Sequence, residues 1–141
     1  MAPKKVLFLC IGNACRSQMA EGFARAYGQD VIVPASAGLA PSINLPPLTA
    51  QVMKEKGIEM EAHFPKDLGF MRNVQFDLII NMSGQKLPTM KAIPVEEWKV
   101  RDPIGKAEEV YRATRDDIEN RVMRLVLALR AERKAAETPQ I

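Results

Sequence analysis

Cysteine is scarce in this 141-residue chain: Cys10 and Cys15 are its only two, too few for a disulfide framework. Long apolar runs are missing as well, and the stretch after Lys4-Lys5 is too short for an export signal. Together these absences predict a reduced, cytoplasmic setting with no membrane partner. Charge of one sign is not concentrated anywhere. Lys and Arg number 20 against 17 Asp and Glu, for a formal net charge of +3, and no basic block or interleaved aromatic pattern points to a nucleic-acid partner. Internal repeats and low-complexity segments are also missing. What remains, 47% hydrophobic and 26% charged residues, is the make-up of one globular domain with a buried core. We place that domain at residues 1–134, followed by a flexible tail at 135–141. The eight methionines suit adaptable packing rather than a cofactor box, and no cofactor is expected.

Strand and helix patterns alternate along the chain. Val6-Leu7-Phe8-Leu9 is apolar without alternation, as a central parallel strand covered on both faces would be. From Ser17 to Tyr27, Met19, Phe23 and Ala26/Tyr27 recur at helical spacing, with Glu21 and Arg25 left for solvent and Gly28 as the stop. Residues 31–38 read as a second strand, with Pro34 marking an edge position. Pro46-Pro47 starts a helix that runs toward Gly57. Asp67 to Met71 reads as a short helix, 76–82 as a third strand, Gln85 to Met90 as a helical turn and Val95 to Trp98 as a fourth strand. A long amphipathic helix then spans Lys106 to Arg133, carrying Val110, Ile118, Val122, Val126 and Leu129 on one stripe. This alternation predicts an α/β fold: one four-stranded parallel sheet with helices on both faces and a phosphate-binding loop after strand 1.

That loop is Cys10-Ile11-Gly12-Asn13-Ala14-Cys15-Arg16-Ser17, set where the first strand turns into the first helix. Unpaired N–H groups at a helix N-terminus, together with the positive end of its dipole, favour a bound oxyanion. Gly12 and Asn13 most readily take the positive φ values of a tight nest, so the backbone of Ile11, Gly12, Asn13, Ala14, Cys15, Arg16 and Ser17 is the expected phosphate cradle. Arg16 adds a planar guanidinium able to grip two oxygens of a tetrahedral anion. Cys10 stands at the mouth, where dipole and charge favour thiolate over thiol. A thiolate facing phosphate can attack phosphorus in line and form a cysteinyl-phosphate that water hydrolyses, with Arg16 and the amides holding the equatorial oxygens. The leaving group needs a proton, and Asp102 is placed to give it. It lies in the loop after the fourth strand, before Pro103, at the carboxyl edge where ligands of such sheets bind.

The Cys10–Ser17 loop near the N-terminus, Ser36-Ala37-Gly38 after the second strand and Asp102-Pro103 before a C-terminal helix closely resemble the low-molecular-weight protein tyrosine phosphatases, in order and spacing, over nearly the whole chain. The resemblance implies Cys10 as nucleophile, Arg16 as phosphate binder and Asp102 as general acid and then base. It also implies that Asn13 braces the loop, that Ser17 holds the Cys10 thiolate, and that no metal is needed. The expected substrate is a phosphorylated protein or small phosphomonoester, with inorganic phosphate or another oxyanion in the cradle.

The superfamily also contains arsenate reductases, in which the same thiolate attacks arsenic and reduction replaces hydrolysis. Thioredoxin-coupled members relay electrons through two cysteines after the third strand, whereas this chain reads Asn81-Met82-Ser83-Gly84-Gln85-Lys86-Leu87-Pro88-Thr89 there. A version that borrows an external thiol needs only Cys10 and stands as the alternative. Tyrosine-specific members follow Asp-Pro with two tyrosines that flank a phenyl ring, and here Ile104-Gly105 takes their place. Cys15 has two readings, a redox partner that captures oxidised Cys10 as a disulfide and a small residue packed under the loop. His63, Trp98, Leu39, Leu45 and Phe64 read as packing residues or as parts of a site rim. A sensor that binds an oxyanion without turnover would dispense with Cys10 or Asp102, and both are present.

Overall fold

A computed structural model describes residues 2–87 and 92–137 of the chain. In order they form β1 (Lys4–Cys10), α1 (Arg16–Tyr27), β2 (Ile32–Gly38), α2 (Pro47–Lys54), a 3₁₀ turn (Leu68–Met71), β3 (Leu78–Asn81), β4 (Val95–Glu97) and α3 (Glu108–Glu137). The four strands are parallel in the order β2-β1-β3-β4. β1 is central, paired with β2 from Lys4↔Ile32 to Cys10↔Gly38 and with β3 from Val6↔Leu78 to Leu9↔Asn81. β2 is an edge strand, which accommodates Pro34 because one side of it carries no ladder.

The run Val6–Leu9 is fully buried, and its side chains divide between two cores. Val6, Phe8 and Cys10 join Ile80 on one face, and Leu7 and Leu9 join Ile79 on the other. The β1–β2 connection crosses the first face, and the β2–β3 connection lays α2 on that same face before it passes to the second. α1 covers the first face. Leu68 and Met71 of the 3₁₀ turn cover the second, joined there by Leu87 and Ile93 from the β3–β4 connection. The chain then returns over the first face as α3, whose Ile118, Val122, Val126 and Leu129 pack into the same cluster as Phe23 of α1 and Val52 and Met53 of α2. All three α-helices therefore share one side of the sheet, and among the described residues the 3₁₀ turn is the helical element of the other.

Four local features depart from the sequence pattern. Glu21 was expected at solvent but is buried, because Ser36 donates to its Oε1, Arg25 donates to Oε2 at 2.7 Å, and the ammonium of Lys66 lies 3.9 Å away. Gln85 to Leu87 are not helical. Side chains capture that backbone instead: Asn81 Nδ2 donates to the Gln85 carbonyl at 2.9 Å, and Ser83 Oγ accepts from the Gln85 N–H at 3.0 Å. The rest of that expected turn lies in 88–91, outside the described residues. α2 closes in a Schellman motif, with Gly57 at φ +75 donating to Lys54 and Ile58 donating to Met53, so helical pattern stops short of Gly57. α3 runs to Glu137, four residues past the expected end, since Lys134-Ala135-Ala136-Glu137 contains only good helix formers. Residues 135–137 of the expected tail are thus helical, and 138–141 lie outside the described residues.

Candidate active site

Cys10 is the last residue of β1 and is 2% exposed. The chain reaches α1 through residues 11–15. No side chain caps α1 and no acidic residue sits in its first turn, so its dipole is left uncompensated. The N–H groups of residues 12–15 have no acceptor among the described residues. Asn13 carries the positive φ, 49°. Gly12 was expected to share it but serves for room instead, because a Cβ there would lie 2.8 Å from Ser42 Oγ. Gly38 is needed for the same reason more severely, since its Cβ would meet the Ile11 carbonyl oxygen at 2.7 Å and the Asn13 nitrogen at 2.9 Å. The backbone after β2 is stitched to the loop, with Leu39, Ala40 and Ser42 donating to the carbonyls of Cys10, Ile11 and Gly12 at 3.1, 2.8 and 2.9 Å.

Cys10 Sγ lies 2.9 Å from Ser17 Oγ, and Asn13 Nδ2 donates to that same oxygen at 2.7 Å. With its oxygen already accepting, the Ser17 hydroxyl has its proton available for the sulfur. Asn13 is itself held, its Oδ1 accepting from the Lys66 N–H and from Gln18 Nε2, each at 3.0 Å. Gln18 Nε2 also reaches the carbonyls of Asn13 and Phe64, at 3.1 and 2.9 Å. Its Oε1 takes a 2.8 Å hydrogen bond from His63 Nδ1. Burial lowers the His63 pKa, against an opposing pull from Glu21, so the ring is a neutral Nδ1–H donor. His63 is thus a brace behind the loop.

The buried Arg16 side chain donates through Nη1 to the carbonyl oxygen of Met82 and, at 3.4 Å, to that of Val100. Its Nη2 stands 3.4 Å from Asp102 Oδ2. Asp102 is part-exposed, and its Oδ1 accepts from the Ile104 N–H at 3.1 Å, a short turn around Pro103 that aims the second oxygen at Arg16. The structure therefore brings every residue picked from the sequence, Cys10 through Ser17 and Asp102, to one sheet edge. Ile104 stands exposed beside Asp102.

Beneath the loop, Thr49 Oγ1 lies 2.9 Å from the Ala14 carbonyl oxygen and 3.3 Å from Cys15 Sγ, and the Tyr111 hydroxyl lies 3.8 Å from the same sulfur. Burial pushes the Cys15 thiol up to about 11. Gln18, Thr49 and Lys66 escape a sequence reading because each acts through a partner distant in the chain; only Gln18 lies close enough to the loop to be suspected. Trp98 is 8% exposed against Phe8, and Leu45 packs on the core. Phe64 is half exposed, edge-on to Phe70 with Lys66 over its ring.

The family model for low molecular weight phosphotyrosine protein phosphatases matches residues 5–135. The chain belongs to this family. Within the low molecular weight phosphotyrosine protein phosphatase family it is similar to relatives of another activity. The glutaredoxin arsenate reductase of Synechocystis sp. is 35% identical over 127 residues, covering 87% of this chain and 96% of that protein. An arsenate reductase of Staphylococcus aureus is 32% identical over 124 residues, covering 84% and 92%. Among solved structures, an arsenate reductase in the phosphate binding state superposes with a TM-score of 0.79 at 32% identity, covering 89% of this chain and 98% of that one. The YwlE arginine phosphatase from Geobacillus stearothermophilus superposes with a TM-score of 0.84 at 27% identity, covering 98% and 100%.

Proposed function

We propose that this protein is an arsenate reductase that draws its electrons from an external thiol, with Cys10 attacking arsenate. The similarity to arsenate reductases at 31–35% identity over 84% or more of the chain carries this reading, ahead of the phosphatase reading that the sequence motifs favour. Arsenate, a tetrahedral oxyanion like phosphate, would take the N–H groups of the loop and Arg16. The Cys10 thiolate attacks arsenic and one arsenate oxygen leaves as water, giving a Cys10 sulfur–arsenic(V) adduct. A thiol sulfur then attacks Cys10 Sγ. The new S–S bond forms as the S–As bond breaks, and the electron pair stays on arsenic, which departs as arsenite. A second thiol reduces the mixed disulfide and restores Cys10.

The need for an outside thiol follows from the chain itself. It has two cysteines, and Cys15, held near 11, is about 10⁻⁴ thiolate at neutral pH. Cys15 is therefore a poor source of the second sulfur.

Hydrolysis of a phosphomonoester is the second reading, favoured by the placement of Asp102. An ester's leaving oxygen carries no proton of its own, and a carboxyl beside Arg16 could supply one. Ile104-Gly105 offers no aromatic face for a phenyl ring, so a small or aliphatic phosphomonoester or a phosphorylated protein side chain fits better than phosphotyrosine.

The test places arsenate with glutathione or a reduced glutaredoxin in one assay and para-nitrophenyl phosphate in another, each against Cys10→Ser. Cys10-dependent arsenite formation is expected. Phosphate release without arsenite would overturn the reductase reading in favour of the phosphatase.

A further inference from the structure

A cavity of about 700 Å³ opens beside Arg16, between the ends of β3 and β4. Its lining carries four cations, Arg16, Lys86, Lys99 and Arg101, against one carboxylate, Glu97. Among the described residues no acid forms an ion pair with the side chains of Lys86, Lys99 or Arg101, while Arg16 has its pair in Asp102. Three exposed cations left without acids around one concavity attract a ligand with more than one negative charge. Arg16 belongs both to this cavity and to the oxyanion cradle, so a molecule lying in the cavity borders the cradle's arginine.

Resting on the reductase reading above, we propose that this cavity binds the thiol co-substrate: a small, peptide-sized thiol carrying two carboxylates, which Lys86, Lys99 and Arg101 hold while its sulfur reaches the adduct on Cys10. Its volume of about 700 Å³ is that of a small-molecule site. The step the thiol performs is the one written above, with its sulfur bonding to Cys10 Sγ as the S–As bond breaks.

Trp98, the single tryptophan of the chain, lines the cavity and reports occupancy without any chemistry. The experiment titrates Cys10→Ser with S-methylglutathione, which has the charges of glutathione and no free thiol, and follows Trp98 fluorescence with the cradle saturated by inorganic phosphate. A saturable change is expected, weakened about tenfold in Lys86→Glu/Lys99→Glu, whose exposed positions leave the fold intact by circular dichroism. In the enzyme with Cys10 present, the same pair of substitutions should raise KM for glutathione about tenfold with kcat held, and leave reduction by uncharged 2-mercaptoethanol unchanged. Absence of a saturable Trp98 response, or equal loss with both thiols, overturns the proposal even if arsenate is reduced. Binding without any arsenate reduction upholds the anion-binding cavity and overturns its role as a thiol site, together with the reductase reading.

Discussion

Replacing Cys15 by Ala in a Cys10→Ser background should change how stability depends on alkaline pH. The Cys15 thiol titrates at 9.0 when exposed and near 11 in the fold, where burial is the largest cause. Its folded pKa is raised, so its contribution is fully present below pH 9. Between 9 and 11 the unfolded chain has lost the proton and the folded chain still holds it, and stability falls by about 1.4 kcal/mol per pH unit. Two units amount to about 2.7 kcal/mol. For a chain of this length that is roughly 8–10 °C in Tm. Tyr27 and Tyr111 also rise, from 10.0 to about 12, and lose their own contributions between pH 10 and 12; that of Tyr27 is common to both proteins and cancels, whereas the part of the Tyr111 rise that Cys15 causes disappears with it and adds to the difference above pH 10. Thermal unfolding followed by circular dichroism from pH 8 to 11, with reductant present, should show the Cys10→Ser curve falling toward that of Cys10→Ser/Cys15→Ala. The variant starts lower because it loses the contact with Thr49 and Tyr111. Parallel curves across the window would refute a buried, protonated Cys15.

Asp102→Asn should lower para-nitrophenyl phosphate turnover by about 10²–10⁴ and arsenate reduction by less than about tenfold, measured side by side at neutral pH; equal losses would contradict a leaving-group acid. Gly38→Ala drives a methyl to within 2.7 Å of the Ile11 carbonyl oxygen, so phosphate affinity by isothermal titration should drop with the fold retained, and unchanged affinity would show that the cradle tolerates the push. Capture of oxidised Cys10 by Cys15 needs the scarce Cys15 thiolate, so the rate of Cys10–Cys15 disulfide formation after peroxide, read by mass spectrometry, should rise about tenfold per pH unit from 7 to 9; a pH-independent rate would rule out that capture.

The cradle was legible because it is local: eight consecutive residues carry the proposed nucleophile, the turn and the arginine, and a strand before and a helix after fix their direction. Asp102 was legible through its proline and its place after β4. Glu21 was misread because helical periodicity assigns a carboxylate to solvent, and only the fold brings Ser36 and Lys66 to meet it. The bracing of Asn13 by the Lys66 backbone and by Gln18 was hidden for the same reason. The non-helical stretch at Gln85 turned on hydrogen bonds from Asn81 and Ser83, a competition that composition does not reveal. Reaction class was the least legible part, because phosphate and arsenate ask the same geometry of Cys10 and Arg16.

The cradle is held by β1, α1, the stretch after β2 and backbone groups of Lys66, Met82 and Val100, whereas the side chains of Ile104, Lys86 and Lys99 form no hydrogen bond or ion pair with it. That separation makes the fold a chassis with exchangeable fittings. A lineage can rewrite the residues after β3 or after Asp102, gaining a cysteine relay, an aromatic clamp or a charged recess, without retuning the nucleophile.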